Sequence, residues 1–203
     1  VRVVGRGVDT DLFNPARRSP ALRRSWGVAE SDLVCLYVGR LAAEKNLALV
    51  ERSFAEIRRS HPSARLVWVG DGPSREALAS RQLPQHFAGW RRDAELATHY
   101  ASADVFLFPS LTETYGNVVA EAMASGLGVV AYRSAAAAEL IVDGENGLSV
   151  PAGDERAFVA AALRFADAPP SWQRDLRHAA RRSMLSRRWD QVVASFETVL
   201  REA

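Results

Sequence analysis

The sequence predicts an α/β domain: a doubly wound, mainly parallel sheet of about six strands with helices on both faces. Three observations carry that expectation. Short continuous apolar runs, each ended by Gly or Pro, alternate with stretches of helical periodicity along the whole 203-residue chain. The turns after three of these runs, at Gly39, Gly70 and Pro109, all follow strands, which puts them at the carboxyl edge of such a sheet, where ligands bind. The chain is 48% hydrophobic and 25% charged, an ordinary globular composition, and long enough for one real core or a domain plus an appendage.

Residues 1–16 contain a short apolar run and then GVDTDLFNP, rich in turn residues and closed by Pro15, which reads as a linker or a lead-in strand. Ser19-Pro20 starts a short basic helix that runs to Trp26 and is stopped by Gly27. Leu33 to Val38 is a continuous buried strand ended by Gly39. After the loop from Arg40 to Lys45, the residues Leu47, Val50, Phe54 and Ile57 keep helical spacing until Pro62. Leu66 to Val69 is the next strand, turned by Gly70-Asp71-Gly72 into a helix over Pro73 to Ser80 with proline in its first turn. Phe87-Ala88-Gly89 is a short strand and Ala94 to Tyr100 a short helix.

The apolar run Val105 to Phe108 stops at Pro109, and polar residues follow through Glu113. Gly116 and Asn117 then open a helix that ends at Gly126, and Val129-Val130-Ala131 is the next strand. Ala135 to Val142 reads as a helical turn, DGENG as a turn cluster, and Leu148-Ser149-Val150 as a last strand. Asp154 caps a helix through Phe165, Pro169-Pro170 breaks the chain, and helices over about residues 171–184 and 189–202 close it.

Composition narrows the function classes. Net charge is +2, from 26 Lys+Arg against 24 Asp+Glu, so bulk charge does not point to nucleic acid. Cys35 is the single cysteine and sits in an apolar run, so no disulfide forms within the chain and a reduced, cytoplasmic setting is expected. No apolar stretch reaches the ~18 residues of a membrane span, and no signal peptide is evident. The abrupt start at VRVVGRGVD, without Met, suggests one half of a longer protein. The four histidines, His61, His86, His99 and His178, lack metal-ligand spacing, and no metal site is expected.

The candidate site residues cluster after the strands. Gly39-Arg40 to Lys45 could bring two cations and helix N–H groups onto a diphosphate; the plain alternative is a solvated loop. Lys45 is the chain's only lysine. Gly70, Asp71 and Gly72 allow close backbone approach to a ligand or simply turn the chain. No GxGxxG follows any strand, which argues against a dinucleotide-binding dehydrogenase. Trp90, Arg91 and Asp93 could bracket a flat base, with Asp93 otherwise the N-cap of the next helix.

Glu113 and Glu121 lie eight residues apart, in the loop and on the helix that opens at Asn117. Val118, Val119, Ala122 and Met123 form that helix's core-facing stripe, so Glu121 stands at its edge, where a carboxylate wants a hydrogen-bonding partner. Such a helix N-terminus seats a phosphate, and carboxylates beside it suit the hydroxyl groups of something attached to that phosphate. A sugar nucleotide answers that description. A glycosidase-type acid pair would need the two carboxyls ~5–9 Å apart, which nothing in the sequence fixes. Arg181, Arg182, Arg187 and Arg188 beside Trp189 read either as a peripheral contact with an anionic membrane or as solvated helix faces and a domain contact.

The order of motifs GVDTDLFNP, YVGRLAAEKN, LVWVGDGP, FAGW with ASADVFLFPS, ETYGNVVAEAMASG and VDGENGLSVP resembles the C-terminal half of family 4 retaining glycosyltransferases of the GT-B fold. Glu113 to Glu121 match that family's E-x7-E signature, and the resemblance spans essentially the whole chain. It implies two Rossmann-like domains facing a cleft, this one holding the nucleotide-sugar donor and an absent N-terminal one holding the acceptor. By position, Arg40 and Lys45 meet the donor diphosphate, Glu121 the ribose hydroxyls and Glu113 the transferred sugar. The amides of Tyr115, Gly116, Asn117 and Val118 face the distal phosphate and sugar, and residues 90–93 the base.

The resemblance further implies catalysis without a cofactor or metal, protein cations and the helix terminus neutralising the leaving phosphate, and retention through same-face attack. The catalytic set is therefore Arg40, Lys45 and Glu113, with no base assigned. RGVDTDLF and SLTETYGN are similar to α-mannosyltransferases using GDP-mannose on lipid or glycan acceptors, with UDP-sugars the main rival. The implied organisation is a lead-in over residues 1–16, the donor domain over 17–186 and a final helix over 187–203 that contacts the missing domain. Such a half binds donor and transfers nothing alone. A non-catalytic nucleotide-binding module of the same fold and a GT-B nucleotide-sugar epimerase are the other readings. Two positions depart from the family pattern: Lys45-Asn46 where many relatives have Lys-Gly, and Ala135 to Ala138 before Glu139 where relatives often have Gly-Gly.

Overall fold

The computed structural model describes residues 5–112 and 117–201. Its six strands, β1 (Val34–Val38), β2 (Arg65–Val69), β3 (Gln85–Gly89), β4 (Val105–Phe108), β5 (Gly128–Tyr132) and β6 (Leu148–Val150), form one sheet in the order β3-β2-β1-β4-β5-β6. Every pairing is parallel; Leu36, for example, faces Val67 of β2 and Phe106 of β4. The chain winds outward one way from β1 to β3 and the other way from β4 to β6. The loops after β1 and β4 therefore diverge at a topological switch point.

The described helices are α1 (Pro20–Ser25), α2 (Leu47–Ser60), α3 (Arg75–Ala79), α4 (Asp93–Ser102), α5 (Asn117–Ala124), α6 (Ala135–Leu140), α7 (Glu155–Ala166), α8 (Pro170–Leu185) and α9 (Trp189–Arg201). α2 packs with α7, while α4 and α5 pack together with α1 and α8 at the two ends of that layer. With both faces covered, β1, β4 and β5 are buried at every position. This is why they are unbroken Val, Leu, Phe and Tyr runs rather than alternating ones.

Local chemistry sets the boundaries. Ser19 accepts the Leu22 N–H at 3.1 Å and Asp154 accepts the Ala157 N–H at 2.9 Å, so both helix starts are side-chain capped. Gly126, at φ +73°, ends α5 with its N–H bonded to the Met123 carbonyl and that of Leu127 to Ala122. α3 is shorter than the Pro73–Ser80 helix expected. Ser74 spends its N–H on the Leu41 carbonyl and Arg75 its own on Gly72, so the turn consumes the first residues and helix begins at Arg75.

Residues 5–16 contain no strand: Asp9 Oδ1 accepts the N–H groups of Asp11 and Leu12, forming a side-chain turn. Val8, Thr10 and Phe13 are nevertheless buried, and Arg181 donates to the carbonyls of Thr10, Phe13 and Ala124, tying this segment to α5. Arg187 pairs with Glu139 and Arg188 with Asp11, so three of the four arginines read as a basic cluster have partners inside the domain.

Glu51 on α2 is a buried carboxylate, 2.8 Å from the Arg81 guanidinium. Burial raises its pKa above the ordinary carboxylate value, and Arg81 offsets this only in part. The folded state thus holds a proton here more tightly than the unfolded chain, so the group lowers stability as pH rises through that window and beyond. Glu51→Gln is expected to be more stable than the parent at pH 7. The gap should close as pH falls below the unfolded carboxylate range; urea titrations at pH 7 and pH 4 check it, and a gap that widens toward pH 4 refutes it.

Candidate nucleotide-binding site

The site is built by loops that leave the carboxyl edge of the sheet. Gly39 N–H donates to the Val69 carbonyl at 3.0 Å, Leu41 N–H to Asp71 at 2.9 Å and Gly70 N–H to Gly89 at 2.9 Å. The ends of β1, β2 and β3 are thereby laced together beyond the sheet itself. Gly72 packs so closely that a Cβ there would lie 2.4 Å from the Leu41 carbonyl oxygen. The Asp71 carboxylate accepts the Gly72 N–H at 2.8 Å and so shapes the same turn.

Above this lacing lies a cleft of about 440 Å³ bordered by Gly39, Arg40, Gly70, Asp71, Trp90 and Arg91. Six residues singled out in the sequence, from three separate loops, thus meet around one space. Trp90 is 63% exposed, and the Arg92 guanidinium covers its ring at 5.1 Å. An exposed indole with a guanidinium over its ring has the chemistry to stack against a planar group.

Asp93 does not border the cleft and does not cap α4. It is the first helical residue, at φ +46°, and Arg92 occupies the cap position without a side-chain bond. Asp tolerates this left-handed conformation better than most residues, which accounts for an acid at the strand-to-helix corner. Asn46 behaves in the same way: it sits at φ +54° before α2 and makes no side-chain cap bond. Conformation rather than capping is therefore what Asn supplies there, and it is a requirement Gly would also meet. Ala135, at φ +43°, takes the left-handed conformation with no such tolerance, so the alanine run leaves local strain at the start of α6.

The switch point between β1 and β4 is bridged by side chains. Lys45 Nζ donates to the Thr112 carbonyl at 3.0 Å, and the Thr112 hydroxyl lies 3.4 Å from the Glu44 carbonyl. Arg40 is mostly exposed, with Glu44 at 3.9 Å, and its carbonyl accepts the Tyr37 hydroxyl at 3.2 Å. Asn117 opens α5, and its Oδ1 lies 3.5 Å from Arg6 Nη1, so a cation from the lead-in segment reaches the helix start. Glu113, Tyr115 and Gly116 lie outside the described residues.

On α5, Val119, Ala122 and Met123 are buried and Val118 is half-buried, as the helical stripe requires. Glu121 stands at the edge of that stripe, and its Oε2 accepts the hydroxyl of fully buried Tyr100 at 3.1 Å. Burial raises the Glu121 pKa and the Tyr100 bond opposes the rise. Tyr100 and Arg6 escaped the sequence reading. Tyr100 lies 21 positions before Glu121 on another helix, and no periodicity links the two. Among the described residues no three His, Cys, Asp or Glu side chains gather as a metal site, and no helix is long and apolar enough to cross a membrane.

A doubly wound parallel sheet with laced glycine turns is a domain of the Rossmann-like class, and the cleft and the cations at its switch point make its carboxyl edge the candidate ligand site. The particular kind follows from likeness to known proteins: residues 32–168 match the family model described as glycosyl transferases group 1, and the chain belongs to that family. It is 40% identical over 151 residues to the sulfoquinovosyl transferase SQD2 of Arabidopsis thaliana, covering 72% of this chain and 29% of that protein. It is 37% identical over 201 residues to a GDP-mannose-dependent α-mannosyltransferase of Mycobacterium tuberculosis, covering 96% of this chain and 50% of that protein. Among solved structures, sucrose-phosphate synthase from Thermosynechococcus elongatus superposes with a TM-score of 0.82 at 26% identity, over 99% of this chain and 52% of the other. The sheet is thus that of the Rossmann-like domains of GT-B glycosyltransferases, and the chain spans between 29% and 52% of the length of these relatives.

Proposed function

We propose that this chain is the donor-binding half of a retaining glycosyltransferase that moves a hexosyl group from a nucleoside-diphosphate sugar to a lipid or glycan acceptor. The observation that carries the reading is that one loop after β1 both borders the cleft, through Gly39 and Arg40, and reaches across the switch point, through Lys45 to Thr112. The base stacks at Trp90 and Arg91, the ribose hydroxyls meet Glu121, and the diphosphate lies between Arg40, Lys45 and the amino end of α5. Departure of the nucleoside diphosphate builds negative charge where fixed cations and helix N–H groups already stand, which is how such a site lowers a barrier. This work falls to protein groups, and donor binding is expected to survive EDTA. The incoming hydroxyl attacks from the face the diphosphate leaves, which retains configuration. Glu113 is assigned to the transferred sugar.

GDP-mannose is the donor proposed, on the likeness to the mannosyltransferase over nearly the whole chain. The acceptor belongs to the other half of the enzyme. α9 is assigned to the contact with that half, because Trp189, Val193 and Phe196 share one helical face and are each about half exposed.

The test is thermal scanning of the chain with GDP, UDP and ADP. One nucleotide, GDP on this proposal, should raise Tm by several degrees at ~100-fold excess over its Kd, as a native-state ligand adding ~2.7 kcal/mol must. A UDP-selective shift reassigns the sugar nucleotide. No shift with any of the three overturns the donor-binding reading itself.

A further inference from the structure

We infer that Tyr100 is the positioning residue of the ribose subsite, fixing the Glu121 carboxylate so that its other oxygen faces the donor's vicinal hydroxyls. The inference rests on the assignment of Glu121 to the ribose made above and adds the group that makes that assignment work. Tyr100 lies at the end of α4, fully buried, with its ring edge-on to Phe13 and Phe106 at centroid distances of 5.8 Å. That packing leaves the ring no freedom, and it directs the hydroxyl across to α5, where it donates to Glu121 Oε2 at 3.1 Å. Phenylalanine would fill the same space. The hydroxyl is therefore the part of the side chain that core packing does not explain, and it donates to a carboxylate at the edge of α5.

The chemistry gives the bond a task. A carboxylate accepts from two hydroxyl groups well only when ionised and correctly turned. Burial favours the neutral acid at Glu121, and the Tyr100 hydrogen bond acts against it. Among the described residues, Tyr100 is the titratable group that faces Glu121 from α4, with Tyr37 of β1 behind it. No described cation shares the task. One O–H donor thus both orients the acid and favours its charged form, with Oε1 left for the ligand.

The experiment compares the 203-residue parent chain, Tyr100→Phe and Glu121→Gln by calorimetric titration with GDP and UDP and with the 2′,3′-dideoxy form of each. The parent is expected to prefer the ribose form. Tyr100→Phe should reduce that preference about tenfold, the worth of a hydrogen bond to a charged group, while affinity for the dideoxy form stays within about twofold. The unchanged dideoxy affinity also shows that the variant is folded. If Tyr100→Phe weakens both forms equally, or keeps the full preference while Glu121→Gln loses it, the positioning role is wrong and the ribose assignment stands. If Glu121→Gln keeps the preference, or the parent has none, the ribose assignment fails and the inference with it.

Discussion

Asp104→Ala is expected to cost the domain about 3–5 kcal/mol, and to lower Tm by roughly 10 °C, because it strands a buried guanidinium. Asp104 sits just before β4 and joins four elements. Its Oδ2 accepts from Arg23 Nη1 at 3.1 Å and from the Val34 N–H at 2.9 Å. Its Oδ1 accepts from Arg18 at 3.2 Å, with Arg177 at 3.6 Å. Arg23 is fully buried and otherwise bonds to the carbonyls of Ser102, Ala29, Glu30 and Asp32. Without Asp104 that cation keeps its carbonyl dipoles and the more distant Glu30 carboxylate, and loses its best-buried countercharge.

The charge and the acceptor geometry separate in a second variant. Asp104→Asn keeps one oxygen for Arg23 or Val34 and removes the charge, so it should fall between parent and alanine. Asp11→Ala is the control: Asp11 makes a shorter pair with Arg188, at 2.8 Å, but is exposed, and solvent screening leaves its removal with little effect on melting. Asp104 lies at the amino edge of the sheet, opposite the cleft. Folded Asp104→Asn should therefore bind nucleotide like the parent. A Tm within about 3 °C of the parent for Asp104→Ala would contradict this account.

Arg23 also shows where the sequence stops being legible. Read alone, it belongs to a short basic helix after Ser19-Pro20, and basic helices are usually solvated. Its burial is decided by Asp104 and by the carbonyls of residues 29–32, which only the fold brings to it. The strands were easier, because burial on both faces writes itself into the chain as unbroken apolar runs; β4 falls on the residues that the run Val105 to Phe108 names. The glycines after β1 and β2 were legible as types, since sharp turns demand them. What could not be read is the pairing across elements. Lys45 reaches Thr112, Leu41 locks to Asp71 and Ser74, and Tyr100 holds Glu121, each without a periodicity or motif to join its members.

Gly70→Ala is expected to be the most damaging single methyl at the cleft. Gly70 has φ +131°, and a Cβ built on it would lie 2.0 Å from the Gly39 carbonyl oxygen and 2.9 Å from its carbon. A carbon–oxygen contact at that distance is over an ångström too short, and the obstacle is backbone, which cannot rotate away as a side chain can. Gly39 must therefore move, and Arg40 and Leu41 move with it. Leu41 carries the amide that closes on Asp71 and the carbonyl that receives Ser74. The expected loss is about 3 kcal/mol of stability and more than tenfold in nucleotide affinity, because strain and displacement add.

Gly153→Ala separates those two causes. Gly153 also has positive φ, +83°, but nothing lies within 4 Å of its built Cβ, so it should lose only the conformational term of about 1 kcal/mol and bind nucleotide normally. Paired melts and GDP titrations of the two variants read both effects. If Gly70→Ala matches Gly153→Ala in both, the close approach of the two loops does not hold the cleft. The sequence offers two reasons for this glycine, close approach to a ligand or a simple turn, and a turn alone would tolerate displacement. Its nearest neighbour in space is the loop that carries Arg40, so the residue that shapes the end of β2 also sets where the diphosphate's proposed cation stands.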